Sequence, residues 1–295
     1  MTQTLSRLRR IADGLIDEWT PLRLTLIILL LRPPGEGTLR GLTWLAAALA
    51  LALPPLTRSS LIWLTLAGLV FARVIADWPL ADNHIYLLGY WCLGLGLCLA
   101  ARRPVSAIAR MGRYLAGFTF LCAIVWKGVL APDYLDARFF RVTLITDERF
   151  AGVARAIGGL TDAQLRDNRA ALEPLPIGAE MLDGPILVEP PALRVLGLAL
   201  TWGGLILESL LAWAFLIGRP LLLHRGRHVL LALFVVLTYA AAPVAGFGWL
   251  LAAMGLAQCE RRQHALRLMY AGAFILITIY AETPLVSALL RVWSP

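Results

Sequence analysis

The sequence predicts an all-α integral membrane protein, a polytopic helical bundle of about eight or nine spans, and three observations carry that prediction. Of 295 residues, 59% are hydrophobic and 16% charged, at a mean hydropathy of +0.72. The apolar residues run in long uninterrupted blocks and not in the alternation of half-buried strands. The arginines gather in short clusters between those blocks, as cytoplasmic loops of membrane proteins require. A net charge of +8 would otherwise suggest nucleic acid, but this clustering argues against it, and no nucleic-acid partner is expected.

A membrane helix needs roughly 20 mostly apolar residues. Such blocks fall at 14–33, 41–56, 59–78, 84–101 and 111–130, then at 191–217, 228–259 and 268–290. Asp17, Glu18 and Pro21 interrupt the first block, which can begin as an interfacial amphipathic helix. Arg7, Arg9 and Arg10 before an apolar run resemble a signal peptide, but "RPPGEG" follows in place of a small-residue cleavage site, so the segment is read as retained. Block 228–259 exceeds one span and carries Pro243 and Gly246 at its middle, which predicts two short helices in a hairpin. Cys92, Cys98, Cys122 and Cys259 lack metal-type spacing and read as small core residues, with Cys92 and Cys98 left open as a pair.

Arginine placement orients the bundle. The N-terminus and the links 101–113, 218–228 and 260–267 all fall on one side, which is therefore cytoplasmic; Arg32 and Arg40 fall outside this pattern. Segment 131–190 holds ten acidic residues against six arginines, and parity puts it on the opposite, extracytoplasmic side as an insertion within a single membrane domain covering 1–295. Within it, "DERFAGVARAIGG" has helical spacing and a glycine stop, and "TDAQLRDNRAALEPLP" opens on an N-cap threonine. Two short amphipathic helices follow, either a lid over the bundle or plain packing on the helix ends. The localisation expected is a bacterial inner membrane, N-terminus cytoplasmic.

Ionisable groups inside spans cost at least a few kcal/mol each and normally face the bundle interior. Arg73 and Asp77 stand four apart on one helix and read as a structural pair. Glu282, near a helix end, receives no role. Along "GLALTWGGLILESLLA" the residues Gly197, Thr201, Gly204, Glu208 and Ala212 form a small-residue face that turns Glu208 inward, as an interhelical hydrogen-bond partner or as a site residue. His84, beside Asp82 and Asn83, and Lys127 lie at the same expected depth on neighbouring spans, which suggests a shared site. Lys127 is the only lysine among 27 basic residues. A desolvated ammonium gives up its proton where a guanidinium does not, so lysine can serve as a base and arginine cannot.

These residues carry a resemblance. "DNHIYLLGYW" resembles the Asn-His-x-Tyr-Leu motif of vitamin K-dependent gamma-carboxylases and of bacterial proteins with the horizontally transferred transmembrane domain. "FTFLCAIVWKGVLAPDYLDA" resembles that family's lysine-bearing segment; "TWGGLILESLLAWAFLI" and "PVAGFGWLLAAMGLAQ" are similar to later spans, in the family's order, over roughly 15–290. The resemblance implies a reduced naphthoquinone as cofactor, Lys127 as the base that deprotonates it, His84 as its catalytic partner, and Asn83 in support; Asp82 and Glu208 join Asn83 as candidate cofactor-binding residues. The chain departs from the animal enzymes in its lone lysine, in Tyr134 where they have tryptophan, and in ending at Pro295 without their large C-terminal domain. The expectation is quinol chemistry without carboxylation of a protein glutamate. Expected partners are membrane lipid, a quinol and a protein on the outer side. The alternative is a non-catalytic membrane subunit or lipid-binding scaffold; a transporter is disfavoured for want of an inverted repeat.

Overall fold

In a computed structural model, the structure describes residues 16–79, 82–173, 186–217, 222–241 and 244–282. Every regular element among them is helical. In chain order these are α1 (Thr20–Leu31), α2 (Gly37–Ala52), α3 (Ser60–Ala76), α4 (Asn83–Leu99) and α5 (Pro104–Val125), which runs on as a π-helical turn, Trp126–Leu130. Then come α6 (Arg138–Thr146), α7 (Ala151–Ala156), α8 (Asp162–Ala171), α9 (Pro191–Leu216), α10 (Leu222–Ala241), α11 (Ala245–Ala257) and α12 (His264–Glu282). Single helical turns at Pro54–Thr57, Pro132–Leu135 and Glu148–Phe150 link some of them.

Among the described residues, three helices are long and apolar enough to cross a membrane: Pro104–Leu130, Pro191–Leu216 and His264–Ala281. Five other apolar blocks form helices of 10–17 residues, so the expected eight or nine spans are not all of full length. Prolines account for three of them. Pro33 and Pro34 follow α1, Pro54 and Pro55 follow α2, and Pro79 follows α3; each lacks an N–H, and Pro33, Pro54 and Pro79 disfavour helical backbone at the residue before them. The twelve residues of α1 reach only about 18 Å. The break expected at 243–246 is present, with Val244 non-helical at φ −112 and ψ 78; Pro243 lies outside the described residues.

The chain packs as two compact units. The first comprises the described residues of Met1–Thr119, Phe215–Pro220 and Val244–Pro295. Its core is built on Trp63, Trp91 and Trp249, none with any exposed surface. Each indole N–H finds an acceptor, as burial demands: Trp63 donates to the Thr57 carbonyl at 2.8 Å, Trp91 to Thr25 Oγ1 at 2.8 Å, and Trp249 to Thr278 Oγ1 at 3.0 Å. Helices α3 and α4 approach closely because Gly96 has no side chain; a Cβ there would stand 2.8 Å from Leu64 Cδ2, and Ser60 Oγ donates to the Gly96 carbonyl at 2.5 Å. Gly255 lets the Tyr270 ring lie on α11, 2.3 Å from where a Cβ would be. Arg73 and Asp77 pair at 2.6 Å, the structural role their spacing suggested.

The second unit holds the described residues of Phe120–Ala214 and Leu221–Pro243. Its 131–190 segment carries the two expected amphipathic helices, α7 and α8, together with α6. Thr161 and Gln164 close a capping box at the start of α8, and Gly159 ends the preceding stretch with φ +75. Their apolar faces bury Leu144, Ile145, Phe150, Ala154, Leu160 and Leu165 against Leu193 and Leu196 of α9. They pack on the start of α9. Asn168, 1% exposed, clamps the chain before α9: its Nδ2 donates to the Val188 carbonyl at 2.9 Å and its Oδ1 accepts from the Val188 N–H at 2.8 Å. No disulfide joins the four cysteines; Cys92 is a buried core residue as expected, whereas Cys122 is exposed.

Candidate functional site

Lys127 sits on the π-helical turn that closes α5. There the Ala131 N–H reaches back five residues to the Trp126 carbonyl at 2.9 Å, and Pro132 prevents the helix from continuing. Such widened turns are uncommon and concentrate at functional positions. The turn carries Lys127 Nζ to 2.5 Å from Glu208 Oε1 on α9. The face expected around Glu208 is buried: Thr201 is 0%, Glu208 6% and Ala212 4% exposed. A narrow helix surface is what allows a long lysine to reach a carboxylate there. Glu208 is therefore the interhelical partner of Lys127.

The pair has an aromatic roof. The Tyr134 ring centroid lies 5.2 Å from Nζ, within cation–π range, and Tyr134 is held against Phe139 and Phe140 at 5.5 and 5.7 Å. Gly204 leaves room for the Tyr134 hydroxyl, 3.7 Å from a Cβ position. The Lys127 side chain is 25% exposed and that of Glu208 9%, so the amine is the approachable member. Glu208 Oε2 and Thr201 Oγ1 are buried with no hydrogen-bond partner among the described residues. A carboxylate with one oxygen bonded to an ammonium and one free can take a proton without rearranging.

The other expected site residues lie together in the first unit, at the start of α4. Asp82 is the N-cap, with no side-chain capping bond, and Asn83 is exposed. His84 is partly buried, its ring on the α11 backbone where a Gly246 Cβ would come 2.7 Å from Cδ2 and 3.0 Å from Nε2. Lys127 and Glu208 belong to the second unit. Sequence reading missed the π-helical turn, for which "WKGVL" carries no distinctive signal, and the roof role of Tyr134, for which the only signal was an aromatic ring seven residues beyond a lone lysine.

Fold and site together define an all-helical protein of membrane character that carries one lysine–glutamate pair under a tyrosine ring. No protein-family model, curated protein or solved structure matches the chain. What the pair does is argued from its own chemistry.

Proposed function

We propose that this chain is an integral membrane enzyme of the carboxylase-like type, in which Lys127 is a general base toward a reduced naphthoquinone and Glu208 is the group that relieves it of its proton. The single observation behind this reading is the 2.5 Å contact between Lys127 Nζ and Glu208 Oε1 on a π-helical turn. A base must first be neutral. Moving one proton along that contact leaves an amine beside a carboxylic acid, with no net charge stranded in apolar surroundings. The amine, more exposed than its partner, is the atom that meets substrate; Glu208, behind it, stores the proton; Tyr134 covers the pair and limits water.

The donor set fits a quinol: an amine to accept from a hydroxyl, an unengaged carboxylate oxygen behind it, and an aromatic ring above. A bound quinol supplies the acidic hydroxyl and the reducing equivalents. In this reading the shorter helices also lie in the bilayer, giving about eight or nine membrane segments in a bacterial inner membrane. Support comes from the large apolar side chains they turn outward, Leu45 on α2 at 50%, Leu61 on α3 at 73% and Leu97 on α4 at 61% exposed.

One observation favours a scaffold instead: an ion pair that ties a helix end to α9 is also a structural lock. Quinone extraction, and oxidation of added naphthoquinol with dissolved dioxygen as the electron acceptor, by the purified protein and by Lys127→Arg separate the readings. Arginine keeps a cation beside Glu208 but cannot act as a base, so the enzyme reading expects the same thermal midpoint with activity lower by about 10²–10⁴-fold. Activity equal to the parent, or no quinol oxidation by the parent, leaves the scaffold.

A further inference from the structure

Away from the Lys127 pair, the first unit contains a cavity of about 620 Å³ where three stretches remote in sequence converge. These are Asp17 to Trp19 before α1, Arg58 between α2 and α3, and Arg261 to Arg267 around the start of α12. The arginine pattern of the sequence assigns all three to the same side of a membrane. The volume lies in the range of small-molecule sites.

We infer that this cavity binds a phosphate anion, either the headgroup phosphate of an anionic phospholipid or that of a soluble phosphate ester. Four arginines line it against two carboxylates, Asp17 and Glu18. Both carboxylates are engaged: Asp17 accepts from Arg23, outside the cavity, at 2.9 and 3.2 Å, and Glu18 is paired with Arg261. Arg262 is paired with Glu260 at 2.6 Å. Arg58 has no carboxylate within salt-bridge distance among the described residues; its guanidinium stacks on the Trp19 ring, 4.8 Å from the centroid. Stacking fixes the plane of the guanidinium and leaves its N–H fork available, the arrangement that suits bidentate recognition of phosphate. Arg267, 7% exposed, donates from Nη1 to the Arg261 carbonyl at 3.3 Å and so props the loop that carries the other two arginines. The wall therefore has an excess of two positive charges, a preset donor fork and a packed floor. Basic pockets at the ends of membrane helices are where phosphate headgroups are held.

The test uses the full chain in an uncharged detergent, titrated separately with dihexanoyl phosphatidylglycerol and with glycerol 3-phosphate. Variants are Arg58→Gln and Arg261→Gln, both exposed side chains, and as control the double variant Arg102→Gln/Arg103→Gln, exposed arginines of the same expected side but outside the cavity. Thermal midpoints without ligand check folding. The expected result is saturable binding weakened at least fivefold by each cavity variant and less than twofold by the control. Binding of the phosphatidylglycerol alone identifies a lipid headgroup; equal binding of glycerol 3-phosphate identifies a soluble ester. Binding of neither ligand, or equal weakening by cavity and control variants, overturns the inference.

Discussion

Truncating Lys127 and Glu208 singly and together should reveal a coupling of about 2–3 kcal/mol with a defined asymmetry. Breaking a buried pair by removing one partner costs about 3–5 kcal/mol, chiefly because the survivor is left as a buried uncompensated charge. Lys127→Ala leaves the carboxylate, 9% exposed, and belongs inside that range at about 4 kcal/mol. Glu208→Ala leaves an ammonium that keeps a quarter of its side chain exposed and the Tyr134 ring 5.2 Å away, so its cost falls to about 2 kcal/mol. The double truncation strands no charge, and its cost of about 3 kcal/mol is well below the sum of the singles. Unfolding free energies of all four proteins in one detergent give the cycle. Additivity within about 0.5 kcal/mol, or a larger loss for Glu208→Ala than for Lys127→Ala, would refute the burial argument.

Gly246→Ala should cost about 1–3 kcal/mol, because its Cβ would stand 2.7 Å from His84 Cδ2 and the ring must leave the α11 backbone; the thermal midpoint reads it. Asn168→Asp exchanges a donor for a carboxylate oxygen facing the Val188 carbonyl, and a loss of about 1–3 kcal/mol should appear as faster amide exchange across 186–196. The Arg149 side chain, bonded to Asp147, holds that carboxyl below its ordinary value of 3.8. Its contribution is thus complete above that value and is lost as pH falls through the lower folded-state value. Relative to the intrinsic rate at each pH, amide exchange in α6 to α8 should quicken below about pH 4, and Asp147→Asn should weaken that pH dependence, the remainder belonging to Asp136, which Arg138 also holds low.

The helical class was legible because apolar blocks and proline punctuation are local. Pro33, Pro54 and Pro79 lie where helices stop. The lengths were not, since hydropathy counts apolar residues and leaves open whether a helix continues through the last of them. Arg73 with Asp77 could be paired on spacing, being four apart on one helix. Lys127 with Glu208 could not: 81 residues separate them, and the face that buries Glu208 was visible while the side chain that reaches it was not. The same holds for Arg58 and Arg261, whose meeting at one cavity is a tertiary event that their own surroundings in the sequence do not announce.

The widened turn at Trp126–Leu130 makes this the place along the helix where a change of chain length is best absorbed. It accommodates one residue more than an ordinary helical turn. Deleting Gly128 would let the turn close to regular helical spacing and leave the chain beyond it near its present phase, whereas the same deletion inside α5 would rotate everything downstream by about 100°. The extra residue at the turn is thus a register device: it lets Lys127 take its direction from α5 while Tyr134 takes its own from the segment that follows.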